Sequence, residues 1–218
     1  MIGPMKTVPQ TQHDQAVQML SRHGMVRHAE FVAAGITAAT IARMEQRGEV
    51  VRVGRGLYQQ PDRPVDANHD LALAAKLVPG GVICLVSALA FHELTDTIPA
   101  RVWLAIGSRD RKPAVDRPRL QTVRFSDAML HTGFERHVID GVKVPITTPA
   151  RTVVDLFRYR VPAGRRFKSS PGLNLALEGL REVLRQRKTT PAELARVAEK
   201  LGIWKVMRPY LEAMTAHA

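Results

Sequence analysis

The sequence predicts an α+β protein, with an N-terminal winged helix-turn-helix unit followed by a mixed α/β domain that ends in helices. Three observations predict it. Residues 36–61, ITAATIARMEQRGEVVRVGRGLYQQP, read as one helix running into a two-stranded ribbon with Gly54-Arg55-Gly56 at its tip. Beyond residue 68, β-favouring runs are interspersed with helical patterns. From Leu173 onward only helical patterns remain.

The first twelve residues, MIGPMKTVPQTQ, carry no periodicity and are expected to be flexible. Asp14 to Arg22 places Val17, Met19 and Leu20 at approximate helical spacing, and Gly24 closes that segment. A second short helix, His28 to Ala34, ends at Gly35. Thr37 can cap the next helix through its hydroxyl, and Ala38 to Arg47 contains neither glycine nor proline before Gly48 stops it. On that helix Ile41 and Met44 are expected to pack, while Thr40, Arg43 and Arg47, three and four apart, form a polar stripe free to read a ligand. Val50 to Val53 and Leu57 to Tyr58 are β-favouring. The turn between them holds two glycines that can take positive φ, with Arg55 at its tip and Arg52 beside it.

The polar run from Pro61 to Asn68 contains two prolines and sets the expected boundary, giving a winged unit over 13–66 and a second domain over 67–218. His69 to Val78 reads as a helix ended by Pro79-Gly80-Gly81. Val82 to Val86 is a short buried strand or the approach to a helix that starts near Ser87, with Leu89, Phe91 and Leu94 as core candidates. Arg101 to Ile106, Leu120 to Phe125 and Val142 to Ile146 alternate as strands. In TTPAR, Thr148 and Pro149 open a helix that buries Val153, Val154, Leu156 and Phe157 and lets Arg151 pair with Asp155. Residues 161–172 read as a basic loop, followed by helices over Leu173 to Gln186, Pro191 to Leu201 and Lys205 to Met214, the last kinked at Pro209.

A chain of 218 residues can bury a core without metals or disulfides. Its one cysteine, Cys84, sits in an apolar run, which excludes a disulfide framework, suits a reducing compartment and fits a small buried hydrophobe. With no apolar run near the ~20 residues of a membrane span and no signal-peptide core, the expectation is a cytoplasmic protein without a membrane partner. The net charge of +12 suits a polyanion, yet its distribution is uneven. Residues 1–66 hold eight Lys and Arg against six acids, and residues 67–218 hold twenty-four against fourteen. Two basic clusters stand out: Arg101, Arg109, Arg111, Lys112, Arg117 and Arg119, then Arg158, Arg160, Arg165, Arg166 and Lys168. On the winged side either would add phosphate contacts; dispersed, they only keep the chain soluble.

No catalytic chemistry is legible. After Arg151 the acids Asp155, Glu178, Glu182, Glu193, Glu199 and Glu212 never form the Asp then Glu-x-Lys pattern of a nuclease metal site. Gly107-Ser108 is not followed by the Asp-x-Asp of a nucleotidyltransferase, since Asp110 and Asp116 are too far apart. His92, His131 and His137 lack metal-ligand spacing, and no phosphate-cradling glycine loop occurs, so neither metal nor cofactor is expected. The expected role is binding of double-stranded DNA, with the helix Thr37 to Arg47 in the major groove. Thr37, Thr40, Arg43 and Arg47 are the base or phosphate candidates, Arg52 and Arg55 grip from the wing, and Arg27 anchors the backbone. Arg109, Arg111 and Lys112 are candidate additional phosphate contacts. For each, the bland alternative is solvated surface.

The stretch GEVVRVGRGLYQQP, together with RVWLAIGSRDRKP and the later VPITTPARTVVDLFRYR, resembles the AbiEi-type antitoxins of bacterial abortive-infection (type IV) toxin–antitoxin systems. The resemblance runs from about residue 13 to 160 and is weakest beyond Val161. It implies a non-enzymatic winged helix that binds inverted repeats in its own promoter and represses transcription. It also implies a C-terminal domain that counteracts a nucleotidyltransferase-like toxin, with direct contact left open. The alternative is a protein-interaction module that neutralises its toxin by binding it, the winged helix being mainly structural.

Overall fold

The computed structural model describes residues 11–64, 66–160 and 170–216. The chain opens with α1 (Gln12–His23), β1 (Met25–Arg27), α2 (His28–Ala33), α3 (Ala38–Gln46), β2 (Val51–Gly54) and β3 (Leu57–Gln59). The first ten residues lie outside the described part, but Thr11 and Gln12 are already structured. The Thr11 hydroxyl accepts from Asp14 N–H and the Asp14 carboxylate accepts from Thr11 N–H, a reciprocal cap. Thr37 caps α3 as its position predicts, and Gly48 follows with φ +72.

Three strands, rather than the two predicted, form an antiparallel sheet in the order β1-β3-β2. β1 is only Met-Val-Arg between two helices, too short to show alternation, and is defined by pairing Val26 with Tyr58. At the hairpin tip only Gly56 takes a left-handed φ, +62. Gly54 stays in its strand, paired with Leu57 after an irregularity that begins at Arg52. What Gly54 needs is space, because a Cβ there would lie 2.8 Å from Leu77 Cδ2. Leu20, Val26, Phe31, Ile36, Ile41, Met44, Val50 and Tyr58 fill this unit's core.

The rest of the chain is α4 (His69–Leu77), β4 (Val82–Ile83), α5 (Leu85–Phe91), β5 (Val102–Gly107), β6 (Leu120–Phe125), α6 (Asp127–Leu130), β7 (Phe134–Ile139), β8 (Val142–Thr147), α7 (Pro149–Arg158), α8 (Gly172–Arg185), α9 (Pro191–Lys200) and α10 (Trp204–Thr215). A five-stranded sheet runs β6-β5-β4-β8-β7, with β5–β6 and β4–β8 parallel and the other two pairs antiparallel. Alternation along β5 divides the core. Leu104 and Ile106 face α4 residues such as Leu71, while Ala105 faces α5 and α7 residues such as Leu89 and Val153, over which α8, α9 and α10 pack. Three elements differ from expectation: α5 begins at Leu85, not near Ser87; α6 is a single four-residue turn with no period to read; and β7, FERHVI, carries charged residues and no clean alternation. Pro209 lies inside α10. Cys84 is fully buried, and burial pushes its thiol well above the ordinary range, so it behaves as the small hydrophobe its position suggested.

The two parts meet at a tight contact. Gly24, at φ +69, lies so close to the β7–β8 turn that a Cβ on it would sit 1.7 Å from the Asp140 carbonyl oxygen. The Asp140 carboxylate accepts from Asp66 N–H at 3.0 Å and pairs with His69 Nδ1 at 2.6 Å. Arg63 donates to the Leu20 carbonyl at 3.2 Å, and Lys76 reaches Glu30 at 2.9 Å. The segment predicted as a boundary is thus bonded on both sides.

Within α7 the Arg151–Asp155 pair predicted from spacing is present, and both side chains are buried. Arg151 Nε donates to Asp155 Oδ2 at 2.7 Å, its other nitrogens donate to the carbonyls of Thr132 and Met129, and its guanidinium lies over the Phe125 ring. Asp155 Oδ1 is buried with no hydrogen-bond partner among the described residues. Burial pushes the Asp155 carboxyl from 3.8 up to about 6, against the opposing pull of Arg151.

The folded chain therefore holds that proton more tightly than the unfolded chain does. This group's contribution is fully present below 3.8 and is lost as the pH rises through about 6. The unfolding free energy of the native protein minus that of Asp155→Asn should fall between about pH 4 and about pH 6 in urea titrations and be level above; a difference independent of pH would contradict the assignment. Gly24→Ala should lower stability by about 2 kcal/mol or more in chemical denaturation, because it combines an unfavourable φ with a clash against backbone.

Candidate nucleic-acid interface

α3 lies on its own core through Ile41 and Met44, and Thr40 goes in with them at 7 % exposure. Of the polar stripe expected from Thr40, Arg43 and Arg47, the two arginines are exposed and Thr40 is not. The stripe turns toward the start of α1. The Gln12 side-chain oxygen accepts from the Thr37 hydroxyl at 3.1 Å, from the Thr40 hydroxyl at 2.8 Å and from Thr37 N–H at 3.2 Å. Arg43 folds back along the helix, donating from Nε to the Ala39 carbonyl and from Nη2 to the Thr40 hydroxyl, each at 3.3 Å. Arg47 is 3.9 Å from Glu49, whose carboxylate also meets His13 Nε2 at 2.7 Å. Thr11, Gln12, His13, Thr37, Arg43 and Arg47 border a hollow of about 470 Å³ between the two helix starts.

The outward face of α3 is Ala38, Ala39, Ala42 and Gln46, all exposed, flanked by exposed Arg43 on the side of α1 and by exposed Glu45 on the other. This face was legible: Thr40 lies four residues before Met44 and so shares its side, which leaves the alanines opposite. Gln12 and His13 escape a reading of the sequence because the contact between α1 and α3 joins residues distant in sequence, and Gln46 because the polar stripe drew attention to the other flank.

On the hairpin, Arg55 is exposed at the tip and its side chain makes no hydrogen bond or ion pair among the described residues. Arg52 is exposed too, bent along its strand with Nε donating to the Gly54 carbonyl at 3.3 Å. Arg27 is placed differently. Its guanidinium donates to the Lys76 carbonyl and its backbone N–H to the Glu30 carboxylate, so it is committed to the junction with α4.

The first basic cluster is split. β5 and β6 are parallel, so the connection between them runs from one end of the sheet to the other. Arg101 and Arg119 sit where the two strands begin, and Arg109, Arg111 and Lys112 where β5 ends. β4 is parallel to β8 and antiparallel to β5. The end of β5 therefore opens on the same edge of the sheet as the Asp140–Gly141 turn that holds Gly24. The three cations are exposed on a braced loop: Arg124 Nη1 donates to the carbonyls of Gly107, Ser108 and Asp110 at 3.0, 2.9 and 2.8 Å, and Gly107 N–H donates to Asp110 Oδ2 at 2.7 Å. Of the second cluster, Arg158 and Arg160 donate to the carbonyls of Leu201 and Phe157, while Arg165, Arg166 and Lys168 lie outside the described residues.

Residues 14–61 match the model of a family described as transcriptional regulator, AbiEi antitoxin. This segment is similar to the AbiEi antitoxin regulators. The AbiEi match supports an antitoxin or regulator role and runs from within α1 to just past the hairpin, so it contains Arg27, Thr37, Thr40, Arg43, Gln46, Arg47, Arg52 and Arg55 but not Thr11, Gln12, His13 or the β5–β6 loop. The crystal structure of the RV2827C protein from Mycobacterium tuberculosis shares the fold, with a TM-score of 0.60 at 16 % identity over 94 % of this chain and 78 % of that one. No curated protein matches the chain. No helix among the described residues is long and apolar enough to cross a membrane.

Thr40→Val keeps the shape of a buried side chain but removes its bonds to Gln12 and Arg43. Stability in urea should drop by about 1 kcal/mol; no loss would place the hydroxyl outside this network.

Proposed function

We propose that the chain is a DNA-binding transcriptional autorepressor and antitoxin of a toxin–antitoxin operon, counteracting a nucleotidyltransferase-like toxin. In this reading residues 13–66 form a winged helix-turn-helix and residues 67–218 the antitoxin domain. One observation carries it: within the AbiEi-matched segment, α3 offers an exposed, short-side-chain face beside a hairpin whose tip presents an unpaired arginine. That pairing suits a helix lying in the major groove while a wing holds the flanking backbone.

The roles follow from placement. Arg43 and Arg47, beside the hollow at the start of α1, grip phosphates at the groove wall, with Thr37 close by. Arg52 and Arg55 meet the backbone or the neighbouring minor groove. Arg109, Arg111 and Lys112, on the edge of the sheet nearest the junction, extend the track of phosphate contacts. Inverted repeats in the chain's own promoter would seat two copies. Thr40 and Arg27 have structural work in this picture, one inside the helix packing and one at the junction.

A second reading has its own support. Gly54 packs on Leu77, and Val53 and Leu57 join a cluster with α4, so the hairpin also braces the body. This favours a module in which the wing is mainly structural and the C-terminal domain binds a toxin directly. Retention of the upstream promoter fragment separates repression from co-purification with the adjacent gene product alone.

Arg55→Ala should weaken binding to the chain's upstream promoter and reduce the slope of log affinity against log salt by about one. Gel-shift titrations at two salt concentrations measure both, and unchanged affinity and slope would remove Arg55 from the interface.

A further inference from the structure

Gln46 ends the outward ridge of α3. Ala38, Ala42 and Gln46 follow one another at intervals of four, so they line up along the helix axis, and Ala39 lies beside them. From Ala38 to Gln46 the rise is about 12 Å, the span of three to four base pairs. Along that ridge the alanines reach only a methyl group from the backbone. A helix with so shallow a surface can come close to the floor of a groove, and the one ridge side chain with hydrogen-bonding groups is Gln46. Its carboxamide is exposed and makes no hydrogen bond among the described residues. Arg43 is tied back to Ala39 and Thr40 and Arg47 lies 3.9 Å from Glu49, both on the flank toward α1, while Glu45 is exposed on the opposite flank.

We propose that Gln46 is a specificity-determining residue that reads an adenine in the major groove of each half-site. The proposal rests on the major-groove reading of α3. A carboxamide carries one acceptor and one donor group side by side. Adenine offers N7 as acceptor and N6–H₂ as donor, so both bonds form at once. Guanine offers two acceptors there, N7 and O6, and leaves the carboxamide oxygen unmatched.

The test is selection of duplexes from a randomised pool by the full chain, followed by affinity measurements on the selected site and on the chain's upstream promoter. The selected half-site should contain an adenine within the segment protected by α3. Gln46→Ala should lose roughly tenfold of the preference for adenine over guanine at that one position, while keeping its affinity for unrelated duplex and its salt slope. Replacing that adenine with 7-deazaadenine should weaken wild-type binding and leave the variant unaffected. Only G·C pairs under α3, or full discrimination retained by Gln46→Ala, would overturn the role of Gln46 while leaving DNA binding intact. A wild-type chain that retains no specific duplex would overturn both readings together.

Discussion

The approach of Gly24 to the Asp140 carbonyl leaves no room for even a methyl group, and it governs how the N-terminal part is presented. A side chain at Gly24 would occupy space already filled by main chain, so the end of α1 and the β7–β8 turn must stay locked as they are. Around that contact Asp140 gathers His69 and Asp66, and Arg63, Glu30 and Lys76 add bonds further along. The helix proposed to read DNA therefore has a fixed bearing relative to the five-stranded sheet. The loop at the end of β5 lies at the same end of the sheet as the turn that holds Gly24.

Local chemistry made most elements readable. Thr37 and Thr148 sit at helix starts as caps, and Gly24, Gly35 and Gly48 close or follow helices with positive φ. Alternation located β5, β6 and β8. The failures share one cause, which is that pairing with a distant partner outweighs local pattern. β1 exists because β3 needs a second neighbour, and β7 because β8 does; neither segment has a strong period of its own. Leu85 adopts φ +49 to turn the short strand β4 straight into α5, which no propensity argument anticipates.

The candidate surface was legible in part for the same reason. The hairpin tip and the direction of Arg55 follow from turn chemistry alone. The side of α3 facing solvent did not follow from polarity, because Thr40 is polar yet buried against Gln12, and the alanines are apolar yet exposed. Polarity misplaces Thr40 and overlooks the alanines, where period puts Thr40 beside Met44 and the alanines opposite. Arg27 illustrates a different limit. A basic residue at a helix start looks like a phosphate anchor in sequence, and only the position of α4 reveals that a carbonyl oxygen already occupies its guanidinium.

Leu77 rests where a side chain on Gly54 would otherwise be. The end of α4 thereby sets the position of the strand that leads to Arg55. The hairpin owes its bearing in part to an absent side chain: a leucine of α4 seats itself in the space that Gly54 leaves, beside the packed Val53 and Leu57.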